Sequence, residues 1–278
     1  MRVLFLTTPI DPPHNDNHLR IPQAFRQAGW VVDETLHESL RLENGILVAG
    51  VFELLSYDLI WPVGLGPARS FLDRAQLMSL VPTQQIVSPT DRQTFLHNKA
   101  LWLEHAPLSF VSANLKEAEA FVSEQQGLWV LKPTAASFGN DVVKIERAEE
   151  LAPYFGEGRY WLLQRYIDGI SQGELRTLVA GNQILGSYLR QPRDGKFIAN
   201  LSQGGVAAPG IPSPIQTQKI EFVKAQLANS GIRFAAIDMC EEWVLDVNIA
   251  NPGGLASLSQ VYDRDYGPDL VAAIGTGL

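Results

Sequence analysis

The chain has a single cysteine, Cys240, in 278 residues, so it can form no disulfide within itself. That fits a reducing compartment. Cys240 follows an apolar run and reads as buried bulk rather than as a nucleophile. Positive charge is scarce as well. The 22 Lys and Arg against 30 Asp and Glu leave a net charge of −8, which disfavours nonspecific nucleic-acid binding while allowing a local basic cleft. No window offers about 18 uninterrupted apolar residues, so no transmembrane helix and no membrane partner are expected. Met1–Thr8 is too short for a signal-peptide core and is soon followed by Asp11-Pro12-Pro13, so the cytoplasm is the expected location. Two common phosphate-binding fingerprints are missing. Gly64-Leu65-Gly66 lacks the third glycine and the following acid of a dinucleotide site, and no Gly-Lys-Ser/Thr opens a helix as in a P-loop. Repeats and low-complexity tracts are also absent.

With 46% hydrophobic and 19% charged residues the chain is globular, and it is long enough for two domains or one elaborate one. Arg2–Thr8 reads as a buried parallel strand closed by Pro9. Leu19–Ala28 reads as a helix stopped by Gly29, and Trp30–Glu34 and Asp58–Val63 as further strands. Ser70–Leu80 looks helical and Gln85–Ser88 extended. Strand–helix–strand over the first 90 residues or so predicts an open α/β unit. Gly64-Leu65-Gly66 then sits at a strand's carboxyl end, where such sheets bind ligands. Downstream, Asp91–His105 is a predicted helix, Leu128–Lys132 and Val142–Ile145 pair as strands, Glu149–Phe155 is a short helix, and Trp161–Ile167 is a strand. Gly181-Asn182 between Arg176–Ala180 and Ile184–Arg190 signals a hairpin, Ser213–Ser230 a helix capped by Gly231, and Asp269–Ile274 a last helix.

The richest stretch is Ile232–Asn251. Two apolar runs, Phe234–Met239 and Trp243–Ile249, flank a short acidic connection and read as a hairpin. A three-residue loop, Glu241-Glu242-Trp243, would set Asp238 opposite Asp246, with Asn248 on the same face as Asp246. Facing carboxylates repel and are costly to bury unpaired. A divalent cation would resolve the conflict, and oxygen ligands of this kind suit Mg²⁺ completed by phosphates. The alternative is a solvated pair on the open face of a sheet.

Lys132 ends a strand and precedes a loop of small residues. Backbone N–H groups and a lysine in that layout can cradle phosphates, although an exposed strand-end lysine gives the same pattern. Gln164-Arg165-Tyr166-Ile167 could hold a nucleobase edge, or could be an ordinary strand end. Arg176 and Arg190 sit on the two arms of the Gly181-Asn182 hairpin, where arginine usually has a carboxylate or phosphate partner. Asn200 and the Ser202–Gly205 loop could bind an anion or could simply turn. His14 and His18 have i, i+4 spacing but lie in a Pro/Asp/Asn loop, a poor setting for a metal pair.

In order and spacing, Asn98-Lys99, Leu131-Lys132-Pro133, Gln164–Ile167, Gly173–Arg176, Asn200–Gly205, Ala236–Asp238 and Asp246–Pro252 together resemble the ATP-grasp superfamily, most closely the bacterial glutathione synthetases. The resemblance covers nearly the whole chain. It implies an α/β (α+β) ATP-grasp fold with an N-terminal open α/β domain over 1–90, a central lid over 91–163, and a C-terminal subdomain with the metal site over 164–278. It implies ATP and Mg²⁺ as cofactors, and an activity that activates an acid as an acyl phosphate for attack by an amine. Lys99 and Lys132 would contact phosphates, with Ser137 and Gly139 in the phosphate loop and Gln164, Arg165, Tyr166 and Ile167 around adenine. Asp238, Asp246 and Asn248 would hold Mg²⁺. Arg176, Arg190, Asn200, Gly204 and Gly205 would face the acyl substrate, with Arg176 and Lys132 carrying the catalysis. γ-Glutamylcysteine and glycine are the first substrate pair. A ligase of the ribosomal-protein-modifying type, or a binding protein without turnover, is the alternative. The resembled enzymes assemble as dimers or tetramers. Departures are Asp246 where Glu is usual, Glu174 where Asp is usual, Asn251-Pro252-Gly253 after the metal motif, and a phosphate loop with Gly139 as its one glycine and Asp141 at its end.

Overall fold

A computed structural model of the chain describes residues 1–9, 15–134, 141–156, 158–192 and 204–276. The N-terminal region carries strands β1 (Arg2–Thr7), β2 (Val31–Leu36), β3 (Leu40–Glu43), β4 (Ile46–Ala49), β5 (Phe52–Glu53) and β6 (Leu59–Pro62), with helices α1 (Asn17–Gln27), α2 (Phe71–Met78) and α3 (Thr90–Leu96). The order β2-β1-β6 forms a parallel sheet, and β3-β4-β5 an antiparallel meander beside it. Successive residues of a strand face opposite sides. In β1, Val3 and Phe5 therefore enter a core with α1, while Leu4 and Leu6 enter another with the meander. Burial on both faces explains the unbroken apolar run of this strand.

Next come β7 (Ser109–Ser112), α4 (Leu115–Gln125), β8 (Trp129–Pro133), β9 (Val143–Ile145) and β10 (Trp161–Arg165). They form the antiparallel sheet β7-β10-β8-β9. Its core, including Trp129, Leu131, Trp161, Leu163 and α4's Ala118 and Val122, is drawn entirely from this stretch. Asn114 caps α4 by accepting from the N–H groups of Lys116 and Glu117.

The last region contains β11 (Glu174–Ala180), β12 (Gln183–Gln191), β13 (Val206–Pro209), α5 (Pro214–Asn229), β14 (Phe234–Cys240), β15 (Trp243–Asn248), α6 (Leu255–Tyr262) and α7 (Gly267–Gly275). The sheet order is β13-β12-β11-β14-β15, all antiparallel. α5 starts at a Ser213/Gln216 capping box and packs Ile220, Val223 and Leu227 on one face of the sheet, against Ala235, Ile237 and Val247. The other face shares a core with α6, α7 and the N-terminal sheet. Trp61 of β6 and Phe234 of β14 meet edge-on at 5.7 Å across that junction.

Four expectations from the sequence need correction. The helix expected over Asp91–His105 breaks at His97-Asn98, where the Asn98 side chain accepts from the Ala100 N–H and starts a separate 3-10 stretch, Lys99–His105. Gln85–Ser88 contributes only one bridge, Ile60 to Ile86. The helix over Glu149–Phe155 is a 3-10 turn, Ala148–Leu151. The β14–β15 loop has two residues rather than three, Glu241-Glu242, with Glu241 at a φ of 49°. Asp238 nevertheless faces Asp246, because Leu245 is an extra residue bulging between the Met239–Val244 and Asp238–Asp246 pairs. A matching bulge lies in the β11–β12 hairpin, where Leu185 separates the Val179–Ile184 pair from Leu178–Gly186.

Candidate active site

The two bulges align a charged row on one face of the five-stranded sheet. Cross-strand pairing sets Glu174 opposite Arg190, Arg176 between Tyr188 and Asp238, and Asp238 opposite Asp246. Without the extra residues Leu185 and Leu245, these partners would be one residue out of step and on opposite faces.

Asp238 is the hub of the row. Arg176 grips it through two parallel bonds, Nε to Oδ1 at 2.7 Å and Nη2 to Oδ2 at 2.6 Å. Arg190 Nη2 lies 2.9 Å from the same Oδ2, and Asn248 donates to it at 3.1 Å. Burial opposes ionisation of this carboxyl, but the two guanidiniums overcome it and hold its pKa below the ordinary value. Arg190 also pairs with Glu174. Burial dominates for Glu174 and raises its pKa, with Arg190 opposing and the nearby Asp238 charge adding to the rise. Arg176 is likewise buried, and Asp238 keeps its guanidinium charged beyond its ordinary range. The third guanidinium nitrogen of Arg176 donates to the Gly253 carbonyl at 2.9 Å.

Lys132 reaches this row from β8 in the other sheet. Its ammonium donates to Gln164 Oε1 at 2.8 Å and to the Leu245 carbonyl at 3.1 Å. That carbonyl belongs to the bulge residue, which has no partner across the strands. Burial lowers the Lys132 pKa to about 8, with Asp246 opposing the fall and Lys99 adding to it. Gln164 is itself anchored on Ser109 Oγ at 3.2 Å. Lys99 stands 3.8 Å from Asp246 Oδ2. Lys132 and Lys99 therefore join Arg176, Arg190, Asp238 and Asp246 in one charged group that spans two antiparallel sheets.

Oxygen ligands for a cation can be tested from these contacts. Asp246 is partly exposed, and its Oδ1 accepts from the neighbouring Val247 N–H. Asn248 spends its amide nitrogen on Asp238, so its amide oxygen is directed elsewhere. These two side chains fit a hard cation. Asp238, already accepting from two guanidiniums and an amide, fits one only in exchange for an arginine. Among the described residues no cluster of three or more His, Cys, Asp or Glu forms a ready-made cage, so ligand oxygens would have to complete the shell.

Other predicted positions fall differently. The Arg165 side chain turns away, stacking on Trp129 at 4.1 Å and donating to the Gln125 and Gln126 carbonyls at the end of α4. The backbone N–H groups of Arg165 and Tyr166 are spent on the Leu108 and Leu128 carbonyls, and Ile167 leads into a 3-10 turn. The Tyr166 ring holds the Lys144 ammonium at 4.2 Å. Gly204, at a φ of 93°, and Gly205 lead into β13, whose Ala207 pairs with Arg190. Ser137, Gly139, Asn200 and His14 lie outside the described residues, and His18 is part of α1. Sequence reading noted Glu174 but gave it no role, although its shared parity with Arg176 was the available signal. It also missed His97, whose pKa is lowered by burial and which feels both Asp246 and Lys99.

Two antiparallel sheets joined at a charged row by a strand-end lysine are the arrangement of the ATP-grasp class, and solved structures share the fold. The chain matches the RimK domain protein ATP-grasp from Sphaerobacter thermophilus with a TM-score of 0.68 at 19% identity, covering 99% of each chain. It matches the D-cycloserine synthetase DcsG with a TM-score of 0.72 at 15% identity, covering 98% of each. At residues 98–263 the sequence fits the family described as prokaryotic glutathione synthetase, ATP-grasp domain, and the chain belongs to that family. Among curated relatives, the glutathione synthetase of Rhodopseudomonas palustris is 25% identical over 62% of this chain and 55% of its own length, so the chain spans about half of that relative. The glutathione synthetase of Gloeobacter violaceus is 22% identical over 93% of this chain and 91% of its own length. ATP and a divalent metal are general to ATP-grasp ligases. Among the described residues, no helix is long and apolar enough to cross a membrane.

Proposed function

We propose that the chain is a Mg²⁺- and ATP-dependent carboxylate–amine ligase that forms an amide through an acyl phosphate, with γ-glutamylcysteine and glycine as the first acid–amine pair. The observation that carries this reading is Asp238 facing Asp246, with Arg176 and Arg190 on the first, Lys99 beside the second and Lys132 on the carbonyl of the adjoining Leu245. Mg²⁺ would supply charge neutralisation for the phosphates, held by Asp246 and Asn248, and by Asp238 once an arginine is displaced. Lys132 and Lys99 would hold phosphate oxygens by donated hydrogen bonds and charge. Gln164, together with the Arg165–Ile167 backbone, would border the base. Arg176 and Arg190 stand beside the acids and would stabilise charge developing on the acyl phosphate oxygens, which is the largest share of catalysis in such transfers. The low pKa cost of burial at Lys132 is offset once phosphates enter.

The working units are residues 1–90, 91–163 and 164–278. We place the enzyme in the cytoplasm, acting on small molecules, with a homo-oligomer as its assembly. The decisive assay is ADP release from Mg·ATP with γ-glutamylcysteine and glycine, each omitted in turn, together with product mass. ADP formed only with both, alongside a tripeptide, supports the proposal. No ADP from a protein that binds Mg·ATP refutes this pair. Turnover with another acid or a peptide would then favour a ligase of the ribosomal-protein-modifying type, and none with any pair a nucleotide-binding protein without turnover.

A further inference from the structure

Residues 250–253 present four consecutive backbone carbonyls, and each has its own donor. Ala250 O accepts from the Gly64 N–H at 3.1 Å. Asn251 O accepts from Asn15 Nδ2 at 3.4 Å, and Pro252 O from Asn17 Nδ2 at 3.1 Å. Gly253 O accepts from Arg176 Nη1 at 2.9 Å. The first three donors belong to the N-terminal region, at the turn after β6 and at the start of α1. The fourth is the guanidinium that grips Asp238.

Asn17 is the strongest of these holds. It is fully buried, and its amide nitrogen also donates to Asn251 Oδ1 at 2.7 Å. Its own amide oxygen is buried without a hydrogen-bond partner. A buried acceptor left unmade is a cost, so the side chain is placed for its donor end. Space is tight on both sides of the strip. A Cβ on Gly253 would come within 3.3 Å of Asn15 Nδ2, and one on Gly254, at a φ of 123°, within 2.5 Å of Tyr188 Oη and 3.2 Å of Arg176 Cδ. The strip is wedged between Asn15 and Asn17 on one side and Arg176 on the other, so a shift at one side is passed to the other.

We propose that Asn17 is a positioning residue for Arg176: by holding the Asn251-Pro252 segment it fixes the Gly253 carbonyl that orients the guanidinium onto Asp238. The N-terminal region would thereby complete the charged row without touching it. A role in turnover rests on the ligase reading above, whereas the positioning itself does not.

The test uses the full chain and two variants. Asn17→Ala removes the amide. Asn17→Leu keeps its approximate size, removes its donors and its unpaired acceptor, and adds no charge at this buried position. The readout is hydrogen exchange at Arg176 Nε–H by ¹H–¹⁵N NMR, with Arg165 Nε–H as a distant control. Exchange about tenfold faster at Arg176 in both variants, with Arg165 unchanged, is the expected result. A rate at Arg176 unchanged in Asn17→Leu overturns the proposal, whatever Asn17→Ala does, and so does equal acceleration at Arg165. Where a substrate pair supports turnover, kcat should fall about tenfold in both variants with the ATP KM unchanged. Absence of turnover in the parent chain bears on the ligase reading alone, because the exchange measurement needs no substrate.

Discussion

Lys132 is a buried ammonium held on one amide oxygen and one carbonyl, and burial lowers its pKa from 10.5 to about 8. The charges facing it are Asp246, Lys99, Glu174 and Asp238. At pH 7 about nine-tenths of these lysines are protonated, and at pH 9 about one-tenth. Phosphate oxygens arriving beside the ammonium favour its charged form and return the pKa toward the ordinary lysine value. Nucleotide binding above pH 8 must therefore draw in a proton, and affinity falls as protons become scarce. Between pH 7 and pH 9 the Kd for Mg·ATP should rise about tenfold, equivalent to about 1.4 kcal/mol. Titration calorimetry at pH 7, 8 and 9, in two buffers of different ionisation heat, would read both the Kd and the proton. Uptake should approach about 0.9 proton at pH 9 and about 0.1 at pH 7. Lys132→Arg should flatten both trends, since a guanidinium stays charged throughout. A Kd that is constant across this range, with no proton uptake, would refute the reasoning.

The two facing carboxylates should separate in their effects. Asp246→Ala should abolish Mn²⁺ binding by electron paramagnetic resonance and abolish ADP formation while leaving the melting temperature nearly unchanged, because the side chain is partly exposed and its ion pair with Lys99 is 3.8 Å long. Asp238→Ala should instead cost about 3–5 kcal/mol in urea unfolding, since it leaves the buried Arg176 without its carboxylate and removes one of the two acids that Arg190 pairs with. Equal stability losses in the two variants would contradict these assignments. His37 is buried with its pKa lowered to about 4, chiefly by burial. Its folded-state pKa lies below the unfolded one, so stability is lost as pH falls from about 6.5 to 4, by about 3 kcal/mol in all. Between pH 7 and 5 the parent chain should lose about 2 kcal/mol more than His37→Phe in denaturant unfolding.

Most of the regular scaffold was legible from apolar runs and their stops. β1, α1, β8, β10, α5 and both hairpins lie where periodicity and Gly or Ser signals put them. The meander Leu40–Glu53 was not, because its strands are only 4, 4 and 2 residues long, too short for a period to show. α4 and α6 also escaped notice. At the site, Asp238 opposite Asp246 was read correctly but for the wrong reason, since a bulge does the work assigned to a longer loop. A bulge changes only which residue faces which, and leaves no mark in composition. The saturation of Asp238 by two arginines, and the turning of Arg165 onto Trp129, depend on long-range placement that local pattern does not carry.

Leu185 and Leu245 give both hairpins an arithmetic. From the Glu241-Glu242 turn to the facing acids, one arm counts two residues and the other three, and from Gly181-Asn182 the arms again differ by one. Side chains along the arms can be exchanged without disturbing the count, whereas the turns need residues that accept a positive φ, as Glu241 does at 49° and Gly181 at 53°. A net gain or loss of one residue on a single arm, with the bulge kept, moves a carboxylate or an arginine from the charged row to the α5 face. These segments should accumulate substitutions while holding their length, and a designer may change their spelling but not their number of letters.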